Sequence, residues 1–176
     1  MITYREATNQ DAELIAQLHS ISWQENYKAI WNDDFLKGSV LQNRRQVWQQ
    51  RLNQPNPDQH IIVAQSMETL CGFTCAYYNN DPVWGTLLDN LHVQASHKGQ
   101  GIGTALIKLA ARWSYTKDSK SGFFLWVLEQ NTPARSFYEK LGAINQGWET
   151  HANPGGGSSI ACRYAWPDIA KLILAK

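Results

Sequence analysis

The chain lacks most of the features that would set its class at a glance. No stretch approaches the ~20 consecutive apolar residues that a membrane-spanning helix needs. The opening Met1-Ile2-Thr3-Tyr4-Arg5-Glu6 has no basic region followed by an apolar run, so no secretory leader is expected. Charge of one sign is missing too. Sixteen basic and fifteen acidic residues leave a formal +1, which argues against an electrostatic nucleic-acid binder, since such proteins carry a basic excess. Cysteine is scarce: Cys71, Cys75 and Cys162 are an odd set without the His and Cys spacing of a zinc site. They read as reduced, buried thiols, with no metal expected. Beyond Gly155-Gly156-Gly157 there is no low-complexity tract, and there is no internal repeat or long linker. Together these absences describe a cytoplasmic protein with neither nucleic acid nor membrane as partner.

What is present is enough chain for one domain spanning residues 1–176, with 43% hydrophobic residues to build a core. Eight tryptophans, from Trp23 to Trp166, are the compositional oddity. Ile2 to Arg5 reads as a first strand. Thr8 then caps a helix, with Asp11 three residues on and Leu14, Ile15, Leu18 and Ile21 at helical spacing. A second helix is expected over 34–51, where Phe35, Val40, Leu41, Val47 and Trp48 keep an imperfect phase. Pro55 and Pro57 break the chain. Strands follow at 60–64, 71–77 and 86–93, close enough in sequence to form an antiparallel meander. Ile102, Ala105, Leu106, Leu109, Ala110 and Trp113 form an apolar stripe on a helix. Phe123–Leu128 is a near-continuous apolar strand, as in a sheet covered on both faces. Thr132-Pro133 opens a helix that Gly142 ends. Strands at 143–150 and 158–166 and a short helix after Pro167 close the chain. The order β-α-α-β-β-β-α-β-α-β-β-α places helices on both faces of a mixed sheet.

The chemistry is concentrated where a strand runs into Lys98-Gly99-Gln100-Gly101-Ile102-Gly103-Thr104 and a helix begins. Closely spaced glycines let the backbone take positive φ and approach a ligand. The amides of the helix N-terminus then face outward at the positive end of the dipole, which makes a phosphate cradle. The GxxxxGK[ST] pattern is absent, and GxGxxG fails because its third glycine falls on Thr104.

A second segment completes the pattern. Asn131 follows the apolar strand, and Ala134, Phe137, Tyr138 and Gly142 fall at A-x-x-F-Y-x-x-x-G spacing. With the glycine loop, read as [RQ]-x-x-G-x-[GA] with Lys98 in the first place, the chain resembles the GNAT superfamily of acyl-CoA-dependent N-acetyltransferases. Ser22-Trp23-x-x-x-Tyr27 and Arg163-Tyr164-x-Trp166-x-Asp168 resemble a bacterial subgroup of it. The resemblance spans most of the chain. It implies an α/β (α+β) GNAT fold: a mixed central sheet of about seven strands, helices on both faces, and a splayed pair of parallel central strands at Leu87–Val93 and Phe123–Leu128.

It also implies acetyl-CoA as cofactor, held by Leu91, His92 and Val93 along the pantetheine arm. Lys98, Gly99, Gln100, Gly101, Ile102, Gly103 and Thr104 would hold the diphosphate, with Asn131, Ser136 and Tyr138 from the next helix. Lys98 keeps a cation there but loses the planar donor fork of arginine, so cofactor binding is expected to be weaker. The implied reaction is direct acetyl transfer to a primary amine of a small molecule. Tyr138 would protonate the leaving thiolate, as a phenol protonated at neutral pH. Asp89 is the first choice of base, sharing a face with Leu91 and Val93 if the strand is regular. A bulge would change that, and His92, Glu25, Glu149, His151 or water are the alternatives.

Trp23, Glu25, Tyr27, Trp31 and His151 are the candidate acceptor contacts, because aromatic walls hold cations. Trp148 falls in the same region, Trp126 beside the gap, Trp113 in the buried stripe, and Trp48, Trp84 and Trp166 in the packing. Two rival functions are an acetyl-CoA-binding sensor and a protein N-terminal acetyltransferase. The second needs an open peptide groove, which the Gly155–Gly157 loop would either open or close. A homodimer is compatible with the resemblance, but no interface is legible.

Overall fold

The computed structural model describes residues 1–174. The strands are β1 (Ile2–Glu6), β2 (Gln59–Ser66), β3 (Thr69–Asp81), β4 (Gly85–Val93), β5 (Phe123–Leu128), β6 (Ile144–Ala152) and β7 (Ser158–Trp166). The helices are α1 (Ala12–Tyr27), α2 (Val40–Asn53), α3 (Ile102–Lys117), α4 (Thr132–Lys140) and α5 (Ile169–Leu174). All seven strands join one mixed sheet in the order β1-β2-β3-β4-β5-β7-β6. Helices α1 and α2 cover one face with Ile61, Val63, Phe73 and Cys75 beneath them. Helices α3, α4 and α5 cover the other, over Leu88, Phe123, Leu125, Val127 and Tyr164. The three cysteines are free and buried.

Two caps show how the sequence sets the elements around the site. Asn131 accepts a hydrogen bond from the Ala134 amide at the start of α4, with Pro133 in its first turn. At the other end Gly142, at φ +86°, turns the chain so that the Ala143 and Gly142 amides reach back to the Tyr138 and Glu139 carbonyls. Tyr138 is thus fixed in the last turn of a short, doubly capped helix.

Two helical faces differ from the sequence reading. In α1, Leu14 and Ile21 are exposed, and the buried line runs through Ile15, Ala16, His19 and Trp23. A histidine in the core stripe hid its phase. In α3 the buried line is Ile102, Leu106, Ile107, Ala110, Ala111 and Ser114. Trp113 sits at its margin, stacked on His60 with ring centroids 4.7 Å apart. The imperfect phase of the second helix also has a cause. Residues Phe35–Ser39 form one wide π turn, which carries an extra residue and brings Leu36, Val40, Arg44 and Trp48 into one buried line.

The feature that positions the site is the failure of β4 and β5 to stay together. They pair in parallel only at Thr86↔Phe123 and Leu87↔Phe124. Beyond Leu87 the strands part, leaving the β5-facing edge of β4 without a strand partner. A bulge sits at the point of departure. Cys75 pairs with Asn90 and Ala76 with Leu88, so Asp89 is the extra residue on β4.

Candidate active site

A cavity of about 600 Å³ fills the gap where the two strands part. One end of it is the glycine loop. Gly99 and Gly101 stand at φ +78° and +79°, a region that side chains with a Cβ avoid, and open space lies where a Cβ would project. Gly101 is the N-cap of α3 and offers no capping side chain. The first amides of α3, at Ile102, Gly103 and Thr104, are therefore left to a ligand. Lys98 stands among these walls. A concave set of free amides at a sixteen-residue helix's positive end, with one cation beside it, fits a diphosphate.

The middle of the cavity is bounded by Leu91, His92 and Val93 on the free edge of β4, by Leu125, Trp126 and Val127 on β5, and by Tyr138 on α4. Burial pushes the Tyr138 phenol above its ordinary pKa, with the neighbouring Tyr27 phenol adding to the effect. The Tyr27 phenol is raised too, chiefly by burial, against an opposing hydrogen bond from the Asn131 side chain. Both phenols therefore stay protonated through the neutral range.

At the far end α1 and α2 meet β4. Asp89 lines the cavity and is the one acidic wall residue. The bulge turns it away from Leu91 and Val93 and toward α2, where Arg51 Nη1 donates to Asp89 Oδ2 at 2.8 Å and to Asn90 Oδ1 at 2.9 Å. The expected shared face with Leu91 and Val93 is thus corrected: one extra residue reverses the alternation of the strand. His92 points to the α1 side, opposite Leu91 and Val93 as expected, but because of the bulge it lies on the same side of the sheet as Asp89 and not on the alternate one. Its Nδ1 shares a 2.8 Å hydrogen bond with Ser22 Oγ, and its ring lies 4.4 Å from that of His19. Burial, with Arg44 and Lys98 adding, brings the His92 pKa down to about 3. His19 is likewise held well below the usual histidine range by burial, then by His92, Arg44 and Arg51. Its Nδ1 accepts from Trp48 Nε1 at 3.0 Å. Both rings are neutral, which makes His92 a poor base at neutral pH.

Of the cofactor residues expected from sequence, Leu91, His92, Val93, Lys98, Gly99, Gly101, Ile102, Gly103, Thr104, Asn131 and Tyr138 all line the cavity. Gln100 and Ser136 do not. Gln100 is exposed and bonds back to the Ser96 carbonyl. The acceptor set divides further. Tyr27 is a wall residue. Trp23 is buried behind the wall, packed edge-on against His19 and Trp31 and covered by Arg44. Trp31 belongs to that same cluster, Glu25 is exposed on the outside of α1, and Trp148 is 66% exposed. His151 touches the edge of Trp126, at 4.6 Å between centroids, without lining the cavity. Sequence reasoning missed Ser22 and Asn26 as wall residues. They lie one turn apart on α1, with Asn26 Nδ2 bonding the Ser22 carbonyl, and small polar residues on that face were the available signal.

The comparisons with known proteins agree with this geometry. The family model described as Acetyltransferase (GNAT) family matches residues 15–143. An uncharacterised N-acetyltransferase of Bacillus subtilis, YuaI, is 25% identical over 178 residues, covering 98% of this chain and 96% of that protein. The mouse thialysine N-epsilon-acetyltransferase is 33% identical over 107 residues, covering 53% of this chain and 62% of its own length. Among solved structures, the PaiA N-acetyltransferase of Thermoplasma acidophilum in complex with coenzyme A superposes with a TM-score of 0.68 at 21% identity, over 93% of this chain and 98% of that one.

Proposed function

Since the chain belongs to the acetyltransferase (GNAT) family and is an acyltransferase that uses acetyl-CoA, we propose that it acetylates a primary amine of a small molecule by direct attack within a ternary complex. The observation that supports this reading best is the cavity in the β4–β5 gap. It has a diphosphate cradle at one end, a protonated phenol in the middle and a lone carboxylate at the other end.

Bound acetyl-CoA supplies an acyl carbon activated by a thioester. The amides of Ile102, Gly103 and Thr104 with Lys98 would hold its diphosphate, and the free edge of β4 at Leu91–Val93 would take its pantetheine arm. Asp89 receives the proton that the ammonium must lose before nitrogen can attack. As the N–C bond forms and the C–S bond breaks, Tyr138 would give its phenolic proton to the leaving sulfur and regain one from the second proton that the acetylated nitrogen sheds. A free backbone N–H near Val93 would supply an oxyanion donor, a role in which one donor is worth about 3–4 kcal/mol.

The acceptor side favours a small molecule over a peptide. The tip of the β6–β7 hairpin rests on Phe35, where Gly155 leaves no room for a Cβ, and a hairpin tied down in this way would narrow an open peptide groove. The mouse relative is named for acetylating thialysine, itself a small amine. The test is release of CoA thiol from acetyl-CoA against a panel of small amines, polyamines, amino acids and N-terminal peptides. Release with small amines is the expected result. Release with peptides alone would reverse the reading, and tight acetyl-CoA binding with no release from any acceptor would leave a sensor.

A further inference from the structure

Three charged side chains cluster behind the acceptor end of the cavity and their charges do not cancel: Asp89 lines the wall, Arg51 pairs with it from α2 outside the lining, and Arg44 lies further back. Asp89 is the only acidic residue on the cavity wall. Arg51 pairs with it through Nη1, which also donates to Asn90 Oδ1 and lies 3.9 Å from Cys75 Sγ. All the side-chain hydrogen bonds of Arg51 to described residues run from this one nitrogen, leaving Nε and Nη2 of the fork unspent, and 24% of the side chain is accessible.

Arg44 lies two turns earlier on the same line of α2. It is only 9% exposed, its guanidinium lies 4.1 Å over the Trp23 ring, and its hydrogen bonds go only to the amide oxygen of the adjacent Asn43. No carboxylate among the described residues lies within ion-pair distance of it. The charges that act on Arg44 are Arg51, which repels it, and Asp89, which attracts it. Burial brings its pKa down to about 10, so it remains a cation at neutral pH. His19 and His92, which face the same region from α1 and β4, are neutral. Two guanidiniums thus stand against one carboxylate.

From this arrangement we infer that the acceptor amine carries a carboxylate, held by Arg51 with Arg44 behind it, while its ammonium group is taken by Asp89. The inference rests on the reading of the chain as an amine acetyltransferase and names the class of that amine. A buried cation without a counterion is costly. A bare amine or polyamine adds positive charge to a region that already has an excess of one. An amine with one carboxylate brings the missing negative charge, in a planar form that matches the guanidinium fork. Asp89 Oδ1, which has no hydrogen-bond partner among the described residues, is left for the ammonium group.

The test uses pairs of ligands that differ only in the carboxylate: L-lysine and cadaverine, L-phenylalanine and phenethylamine, L-methionine and 3-(methylthio)propylamine. Two readouts are taken, thermal stabilisation of the CoA-saturated protein and thiol release from acetyl-CoA. In at least one pair the carboxylated member should stabilise more and react about 10- to 100-fold better in kcat/KM, the worth of one charge-assisted hydrogen bond. Arg44→Gln and Arg51→Gln should each shrink that ratio, and Arg44→Lys should retain most of it. A cation that merely packs on Trp23 would change Tm in these variants and leave the ratio alone. Equal stabilisation within every pair, stabilisation by neither member of any pair, or preference for the decarboxylated member overturns the inference. Stabilisation by the carboxylated member without thiol release overturns the acetyl-transfer reading instead and leaves the binding site standing.

Discussion

A Cβ placed on Gly155 would stand 2.4 Å from both Cβ and Cγ of Phe35. That contact ties the β6–β7 hairpin, which otherwise forms the exposed edge of the sheet, to the π turn that leads into α2. Gly155 also stands at φ +83°, so an alanine there is opposed both by the ring and by its own backbone. Gly155→Ala should lift the hairpin tip and raise KM for the acceptor several-fold while leaving KM for acetyl-CoA in place, read from initial rates with each substrate varied. An unchanged acceptor KM would show that the hairpin does not bound the acceptor site.

Tyr138→Phe removes the hydroxyl from a ring whose position α4 and its caps already fix. The expected result is a fall in kcat of about 10²-fold or more, typical of a lost general acid, with acetyl-CoA affinity nearly unchanged by titration. Asp89→Asn should lower kcat/KM for the amine, and raising the pH should recover part of it as more of the acceptor arrives unprotonated. Full activity in Tyr138→Phe would end the role assigned to that phenol.

Gly101→Ala strains a residue held at φ +79°, at a cost of about 1–2 kcal/mol, and tilts the amides that open α3. Weaker acetyl-CoA binding by calorimetry is expected, without a matching change in acceptor KM. Lys98→Arg, which restores a planar fork, should tighten acetyl-CoA.

His19 in the core and His92, half-buried at the cavity wall, make stability fall in acid. In the unfolded chain His19 and His92 take up protons near pH 6.5, whereas the folded pKa of His92 is about 3 and that of His19 is also depressed. Between those values the unfolded state binds more protons, so stability is fully present above pH 6.5 and is lost as pH falls toward 3. His92 contributes a slope of about 1.4 kcal/mol per pH unit in that window, and His19 adds to it in the same direction. Denaturant melts from pH 7 to 4.5 should show the fall, and His92→Asn should flatten it by about one proton. His60 is also depressed, mainly by burial, and adds a smaller share. An unchanged slope in His92→Asn would mean that His92 is not neutral in the fold.

Much of this was legible in the chain. The strand at Phe123–Leu128, the caps Asn131 and Gly142, and the glycine loop are local features, each fixed by a few neighbouring residues and their backbone preferences. What the sequence obscured were polar residues placed in core lines. His19 in α1 and Arg44 in α2 broke the apolar patterns because each is buried by contacts from other elements, Trp48 and His92 for the first and Trp23 for the second.

The sequence by itself determined the order of elements, the glycine turn that opens α3 and the place of Tyr138, because turn chemistry, capping and hydrophobic period act over a few residues. Only the tertiary structure decided which way Asp89 faces, since a bulge is a matter of register between β3 and β4 and leaves no mark in β4 alone. It also decided which aromatics meet the cavity. Tyr27 does, while Trp23 and Trp31 are drawn into a cluster with Leu36 and Val40. That choice depends on how α1 packs against α2, and packing between distant segments is settled by the whole core at once.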